Sequence, residues 1–532
     1  MADSLVTIAD SAEMQLNPLL RGGAKRFAES MPQARAGVTE STTPPLVAPG
    51  LPARNYFLFG QPFDTRDLSM SDKPACREVY QQVQAQLTND LATLLRYRKK
   101  DPYRRLPFRL LFERARKEQA PSAPLDGHYE YKMSGFDESE QEHRSLKKPD
   151  PSLDGLADFL ATNWGISADM DTLKKIDSYD DANYFFQTAA ATGDKRSFLL
   201  KFYNAVETEC PDILHGLGFM LQRINQQIAI PLQVPSIVQP LSAVCVQNFV
   251  MMQCRTASGG VELVAVRVFV WIEGTTLSRV QPDLRLMSEL GTGIAEVWRA
   301  LDGFAHPSFS RQHLWDLRQL ALSKPLLCYV DCPQVCACIE AVHAQFREEV
   351  LPVSEQLPWS IIMADCNDAN VIVTDDGSGL VGLIDFSDAV LTWSVNEIAI
   401  AMAYALLTSY GKTSPYKALG ALLAGYTRVR ALSPLELHCL PLLILARLSI
   451  SVSVGACAIS KSPDDDYLKL HAVPGRQAIL MLSAVPLQTH RRFFCRVQEC
   501  FRGDGVLIED CLFDALIDDC YGAQAQAQNQ VN

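Results

Sequence analysis

The sequence predicts an α+β protein of two lobes, a small β-rich one followed by a mostly helical one, behind an irregular N-terminal extension. Two observations carry that expectation. From residue 151 onward, short runs rich in Val, Phe and Ile give way to long helical stretches. Ahead of them, residues 1–50 cluster Gly, Pro, Ser and Thr, as in STTPPLVAPGLP, with no sustained apolar periodicity, and are expected to be disordered. At 532 residues and 48% hydrophobic content, the chain has more material than one ordinary core can use.

A formal charge of -12 argues against general affinity for nucleic acid or anionic lipid, so any phosphate site has to be local. Fifteen cysteines, odd in number and scattered, fit reduced thiols and a cytoplasmic location, with organellar targeting left open. Cys328, Cys332, Cys336 and Cys338 lack paired CxxC spacing and read as small buried hydrophobes. No basic stretch followed by an apolar core opens the chain, so no secretory signal is expected. The most apolar window, Leu440 to Ile459 with Arg447 inside it, is long enough for a membrane span. Its Ser, Cys and Gly content, and the lack of a second such window, favour a buried helix and no span.

Residues 51–118 open with an aromatic run, Asn55 to Phe63, and continue with Val79, Val83, Leu87, Leu91 and Leu95 at every fourth position, an amphipathic helix with Pro74 in its first turn. A basic run from Arg96 to Lys117 reads as its solvated face. The wording YFLFGQPFDTRD and the helix after it resemble the C-terminal end of plant-type phytyl ester synthase and diacylglycerol-acyltransferase-like proteins. The HxxxxD motif that carries acyl transfer in that family does not precede Asn55, so the resemblance implies a tail-like segment without its catalytic motif. Residues 119–150, charged and containing Pro, read as linker. Residues 151–272 form the first lobe, 273–515 the second, and 516–532 a flexible tail.

Within the first lobe, Phe198 to Tyr203 reads as a strand, and Val244–Cys254 with Val261–Ile272 as a hairpin around Ser258-Gly259-Gly260. In the second lobe, helices are interrupted by the pair Val371–Thr374 and Leu380–Phe386. The informative stretch is IIMADCNDANVIVTDDGSGLVGLIDFSD, residues 361–388. Asp365 is followed by Asn370 five positions on, and Asp385 closes the next apolar strand. Phosphoryl transfer needs one carboxylate to orient the acceptor and oxygen ligands to hold Mg²⁺ against the phosphates, and this set supplies them. An Asx-rich turn beside a surface hairpin would use the same residue types. The apolar strand leading into Asp385, however, places that carboxylate at a core edge.

The same stretch resembles the hydroxylysine kinase branch of the aminoglycoside phosphotransferase family, a protein-kinase-like fold. The resemblance runs over Met363-Ala364-Asp365-Cys366-Asn367-Asp368-Ala369-Asn370, then Ile384-Asp385-Phe386-Ser387-Asp388, then Asn396-Glu397-Ile398-Ala399-Ile400. Upstream, Ser178-Tyr179-Asp180-Asp181-Ala182-Asn183-Tyr184 is similar to the family's nucleotide-covering turn, and Phe198-Leu199-Leu200-Lys201 to its lysine strand. Arg267 to Gly274 is similar to its hinge, and Phe304-Ala305-His306-Pro307 with Leu314-Trp315-Asp316-Leu317 to the text that follows, where His306 and Trp315 read as packing residues.

The resemblance, over roughly residues 155–500, implies an N-lobe sheet with one helix, a hinge and a helical C-lobe. It implies Asp365 as base, Asn370 and Asp385 as metal ligands, and Lys201, Ser178, Tyr179 and Asn183 at the nucleotide. The implied cofactors are Mg²⁺ and GTP or ATP, and the implied acceptor is an amino-alcohol, 5-hydroxylysine in this branch, with homoserine or choline as alternatives. Asp388 and Glu397 are candidate partners for the substrate ammonium. Two departures bear on activity. Met363 and Ala364 stand where the family has histidine and glycine, and His215 stands where a helix glutamate pairs with the strand lysine. A catalytically impaired pseudokinase or nucleotide-binding scaffold is the competing expectation.

Overall fold

A computed structural model of the chain describes residues 5–9, 46–49 and 143–522, except 179, 190–194, 210, 242–247, 312, 462–471 and 503–507. The chain divides into two compact units, Met1–Lys132 and Met133–Asn532. In the first, β1 (Leu5–Ala9) pairs antiparallel with β2 (Leu46–Pro49), within a stretch whose composition predicts no regular structure. The tail-like segment at 51–118 lies outside the described residues.

The second unit has the expected two-lobe α+β architecture. Its first lobe contains β3 (Pro149–Asp150), α1 (Leu156–Trp164), β4 (Ala168–Ile176), β5 (Ala182–Thr188), β6 (Ser197–Phe202), α2 (Ala205–Glu209), α3 (Asp212–Gln227), β7 (Ile237–Val238), β8 (Val250–Thr256) and β9 (Val261–Val270). The strands form an antiparallel sheet in the order β3-β8-β9-β6-β5-β4, with β7 on the remaining stretch of β9. Strand side chains alternate between faces. In β6, Phe198, Leu200 and Phe202 therefore pack with Leu156, Leu160 and Trp164 of α1, while Leu199 and Lys201 point the other way.

Three expectations need correcting here. Residues 143–150, read as part of a linker, are structured, because β3 pairs with the outer edge of β8 and satisfies backbone groups that the edge would leave open, and residues 119–142 lie outside the described residues. The lobe has more than one helix, because its sheet is covered by α1 on one face and α3 on the other. The first hairpin strand starts at Val250 rather than Val244, and residues 242–247 lie outside the described residues.

After the hinge come β10 (Thr275–Thr276), α4 (Leu284–Ala300), α5 (Pro333–Gln345), β11 (Trp359–Ile362), β12 (Val371–Val373), β13 (Leu380–Leu383) and β14 (Val390–Trp393). The lobe ends with α6 (Val395–Ser409), α7 (Pro415–Val429), α8 (Pro434–Lys461), α9 (Ala472–Ser483), α10 (Leu487–Phe501) and α11 (Asp510–Tyr521). Helix α11 runs past residue 515, carrying Leu516, Ile517 and Tyr521 into the core, so residues 516–521, expected in a flexible tail, are helical; residues 523–532 lie outside the described residues. Gly274, at φ +134°, sits where a Cβ would lie 2.4 Å from the Val373 carbonyl oxygen, so only glycine lets the hinge rest directly on β12. Helix α8 is long and apolar enough by composition to cross a membrane, yet most of it is buried as the spine of this lobe.

Candidate active site

Two short antiparallel ladders, β11 with β14 and β12 with β13, hold the loops that carry the sequence-predicted carboxylates. Each loop contains a non-glycine residue in left-handed backbone, Ala364 at φ 66° and Asp385 at φ 58°. Such a conformation costs an alanine about 1–2 kcal/mol and an aspartate less, because its short polar side chain can bond locally. The replacement of the family's glycine by Ala364 is thus accommodated at the cost of strain.

Asp365 is fully engaged. Its Oδ2 accepts from Nδ2 of Asn367 at 2.8 Å and of Asn370 at 2.9 Å, and its Oδ1 accepts from Arg447 of α8 at 2.9 Å. Asn370 Nδ2 also donates to the Asp365 carbonyl at 2.9 Å. With its nitrogen committed in this way, the Asn370 side-chain oxygen Oδ1 is the atom left for a ligand, the main-chain carbonyl already accepting from the Ile384 amide. Arg447 is only 1% exposed. It donates to the Trp315 carbonyl and the Tyr404 hydroxyl, both at 3.0 Å, and lies against both rings.

Lys201 reaches the Asp385 loop from the first lobe. Its Nζ is 2.9 Å from Asp181 Oδ2, 3.4 Å from Asp385 Oδ1 and 3.2 Å from Ser387 Oγ. Burial works against the ammonium charge, but the Asp181 and Asp385 carboxylates hold its pKa well above the usual lysine value. The expected role of a helix glutamate is therefore filled from elsewhere. His215 packs its ring 5.1 Å from Phe249, Glu207 is bound to Arg144 and Glu209 to Lys147, and Asp181 from the β4–β5 turn pairs with the lysine. In that turn, Ser178 Oγ accepts from the Asp181 amide at 3.3 Å. Asn183 lies opposite Lys201 in register, its buried Oδ1 without a partner among the described residues. Tyr179 lies outside the described residues.

The electrostatics tie the two acids together. Burial first, then the charges of Asp388 and Asp385 against the pull of Arg447, pushes Asp365 up to about 7. Asp388 goes the other way. Its burial is outweighed by the His313 ring 3.3 Å away, with Arg311 and Arg447 behind, and its carboxyl is held well below the usual range. Asn370 and the 42%-exposed Asp385 side chain give an oxygen-only donor pair, suited to a hard divalent cation. Among the described residues no cluster of three or more His, Cys, Asp or Glu could hold a metal by itself, so a cation here would fill its shell from ligand oxygens and water.

Glu397 is not available to a substrate, which corrects the expectation for it. Helix α6 is buried nearly all round, and Glu397, 3% exposed, accepts the Met363 amide on Oε2 at 2.6 Å. It thereby anchors the backbone just ahead of Asp365. Met363 itself is buried in the core. Burial, partly offset by the Met363 and Ala364 amides, pushes Glu397 up to about 7. The folded state then holds this proton more tightly than the unfolded chain does, so its stability contribution is full below about pH 4.5 and is lost as pH rises through about 7. Glu397→Gln should keep the amide bond and flatten the pH dependence of the urea midpoint between pH 5 and 7. Glu397→Ala should cost roughly 1–3 kcal/mol at every pH by orphaning a buried N–H. Equal pH slopes in wild type and Glu397→Gln would contradict this.

Residues 172–432 match the phosphotransferase enzyme family. This part of the chain is a phosphotransferase domain. The domain is similar to hydroxylysine kinase of Mus musculus, 25% identical over 321 residues covering 57% of this chain and 82% of that enzyme. It is also similar to hydroxylysine kinase of Danio rerio, 22% identical over 366 residues covering 66% and 97%. A solved amicoumacin kinase, hAmiN, aligns over 66% of this chain and 97% of its own at 15% identity, TM-score 0.47. A separate short match, 42% identical over 77 residues, is to phytyl ester synthase 1, chloroplastic, of Arabidopsis thaliana, and covers 13% of this chain and 11% of that protein. The phosphotransferase domain acts on an alcohol acceptor.

Two participants were not assigned from the sequence: Arg447, which left a signal as a lone charge in the most apolar window of the chain, and Asp181, which lies in the quoted turn motif without its pairing to Lys201 being foreseen.

Proposed function

We propose that the chain is a small-molecule kinase that transfers the γ-phosphate of GTP or ATP to the hydroxyl of an amino-alcohol, with 5-hydroxylysine as the first candidate. The observation that carries this reading is the bonded pair Asp365–Asn370 together with the Lys201–Asp385 pair, whose Asp385 charge acts on Asp365. The β4–β5 turn with Ser178, Tyr179 and Asn183 covers the nucleotide, and Lys201 holds its phosphates. Asn370 and Asp385 would hold Mg²⁺, which when bound offsets charge on the phosphates. Asp365, fixed by Arg447, Asn367 and Asn370, orients the acceptor hydroxyl and takes its proton as the new O–P bond forms and the bond to the nucleoside diphosphate breaks. Asp388, ionised, 28% exposed and beside His313, is the candidate carboxylate for a substrate ammonium.

The acceptor choice is supported by the names of relatives in mouse, cattle, zebrafish and frog, all hydroxylysine kinases at 22–25% identity. A phosphate-transfer assay over 5-hydroxylysine, homoserine, choline and lysine, with each nucleotide, tests it. The expected result is the highest kcat/KM on 5-hydroxylysine and none on lysine, which lacks the hydroxyl. Metal-dependent nucleotide binding with no turnover on any acceptor would favour the scaffold reading instead.

A further inference from the structure

We propose that Arg144, outside the matched family stretch, is a positioning residue for the nucleotide site, doing through hydrogen bonds what a helix glutamate would do directly. The inference rests on the kinase reading above for its functional consequence. Arg144 Nε lies 2.8 Å from Asp180 Oδ2, and its terminal nitrogen 2.8 Å from Glu207 Oε1. Its carbonyl accepts from Asn204 Nδ2 at 2.9 Å, and the same amide group donates to the Asp180 carbonyl at 3.1 Å. The backbone N–H of Asn204 donates to Asp181 Oδ1 at 2.9 Å, and Asp181 Oδ2 is the oxygen that binds Lys201. From Arg144 to the phosphate lysine, every step is a direct bond between groups fixed at both ends.

The strap that carries Arg144 is itself tied down. Lys147 and Lys148 accept backbone bonds from Ala205 and Ala257, β3 joins the sheet, and Lys148 Nζ binds the Ser178 carbonyl at 2.5 Å. The turn is thus gripped on its Ser178 and Asp180 sides by one segment. Arg144 and its two acids remain 20–27% exposed, so their attraction alone is weak. What they contribute is placement. Asp181 is buried with both oxygens engaged, and a shift of Asp180 or Asn204 would carry it away from Lys201.

The test uses the full chain with Arg144→Ala and Arg144→Lys. Hydrogen exchange of peptides covering 177–184 and 200–205, without nucleotide, reports whether the strap holds the turn. Arg144→Ala should raise exchange there, and Arg144→Lys, with one contact in place of two, should restore part of the protection. Nucleotide Kd should weaken about five- to tenfold in Arg144→Ala, with kcat at saturating nucleotide nearly unchanged. Unchanged exchange in Arg144→Ala overturns the proposal, as does altered exchange with an unaltered nucleotide Kd. If the wild-type chain binds neither GTP nor ATP, the kinase reading fails, and with it the functional half of the proposal, while the exchange data still decide the structural half.

Discussion

Replacing Asp365 by asparagine is expected to lower kcat by about 10²- to 10⁴-fold while leaving nucleotide affinity within a few-fold of wild type. The amide keeps the side chain's shape and can still accept from Asn370, but it cannot take the acceptor proton. Arg447, buried and ion-paired to Asp365, would lose its nearest counter-charge among the described residues, so the variant should also be less stable by roughly 2 kcal/mol. Wild-type kcat/KM should depend on pH with a definite sign. With Asp365 pushed up to about 7, the ionised fraction grows as pH rises, so the rate climbs through about pH 7 and levels off above it. A rate that falls across this range, or an Asp365→Asn variant retaining more than a tenth of wild-type kcat, would remove Asp365 from its assigned role.

Asp385 gives the second large effect. Asparagine is the informative replacement, because both residues tolerate the left-handed backbone at φ 58° and the change removes charge without forcing the loop to move. Lys201 keeps Asp181, so the lysine stays anchored while the cation loses its only charged protein ligand in the proposed pair. The expected loss in kcat is about 10²- to 10³-fold, and raised metal concentration should recover part of it. A variant equal to wild type at limiting metal would contradict the assignment.

The parts of this site that could be read from the sequence are those that are local in the chain. Asp365, Asn370 and Asp385 fall within 21 residues, and the hairpin between them is marked by Asp375-Asp376-Gly377-Ser378-Gly379. Lys201 was legible because Phe198-Leu199-Leu200-Lys201 is similar to the family's lysine strand. Arg447 was not, since its partner is 82 residues away and nothing in an apolar helix says which turn faces a distant loop. Glu397 was misread for a related reason. Helix α6 is buried on nearly every side, so no amphipathic stripe distinguishes a cleft-facing position from one beneath the loop. Arg144 and β3 were hidden by composition, because a charged, Pro-containing stretch looks the same whether it is solvated or pairs with a sheet edge.

The most direct measurement is calorimetric titration of the wild-type chain and of Asp385→Asn with GTP and with ATP, each with and without Mg²⁺. If Asn370 and Asp385 hold the cation beneath the phosphates that Lys201 grips, Mg²⁺ should tighten binding of one or both nucleotides at least tenfold in wild type and have little effect in the variant. Equal enhancement by Mg²⁺ in both proteins, or none in wild type, would contradict the site.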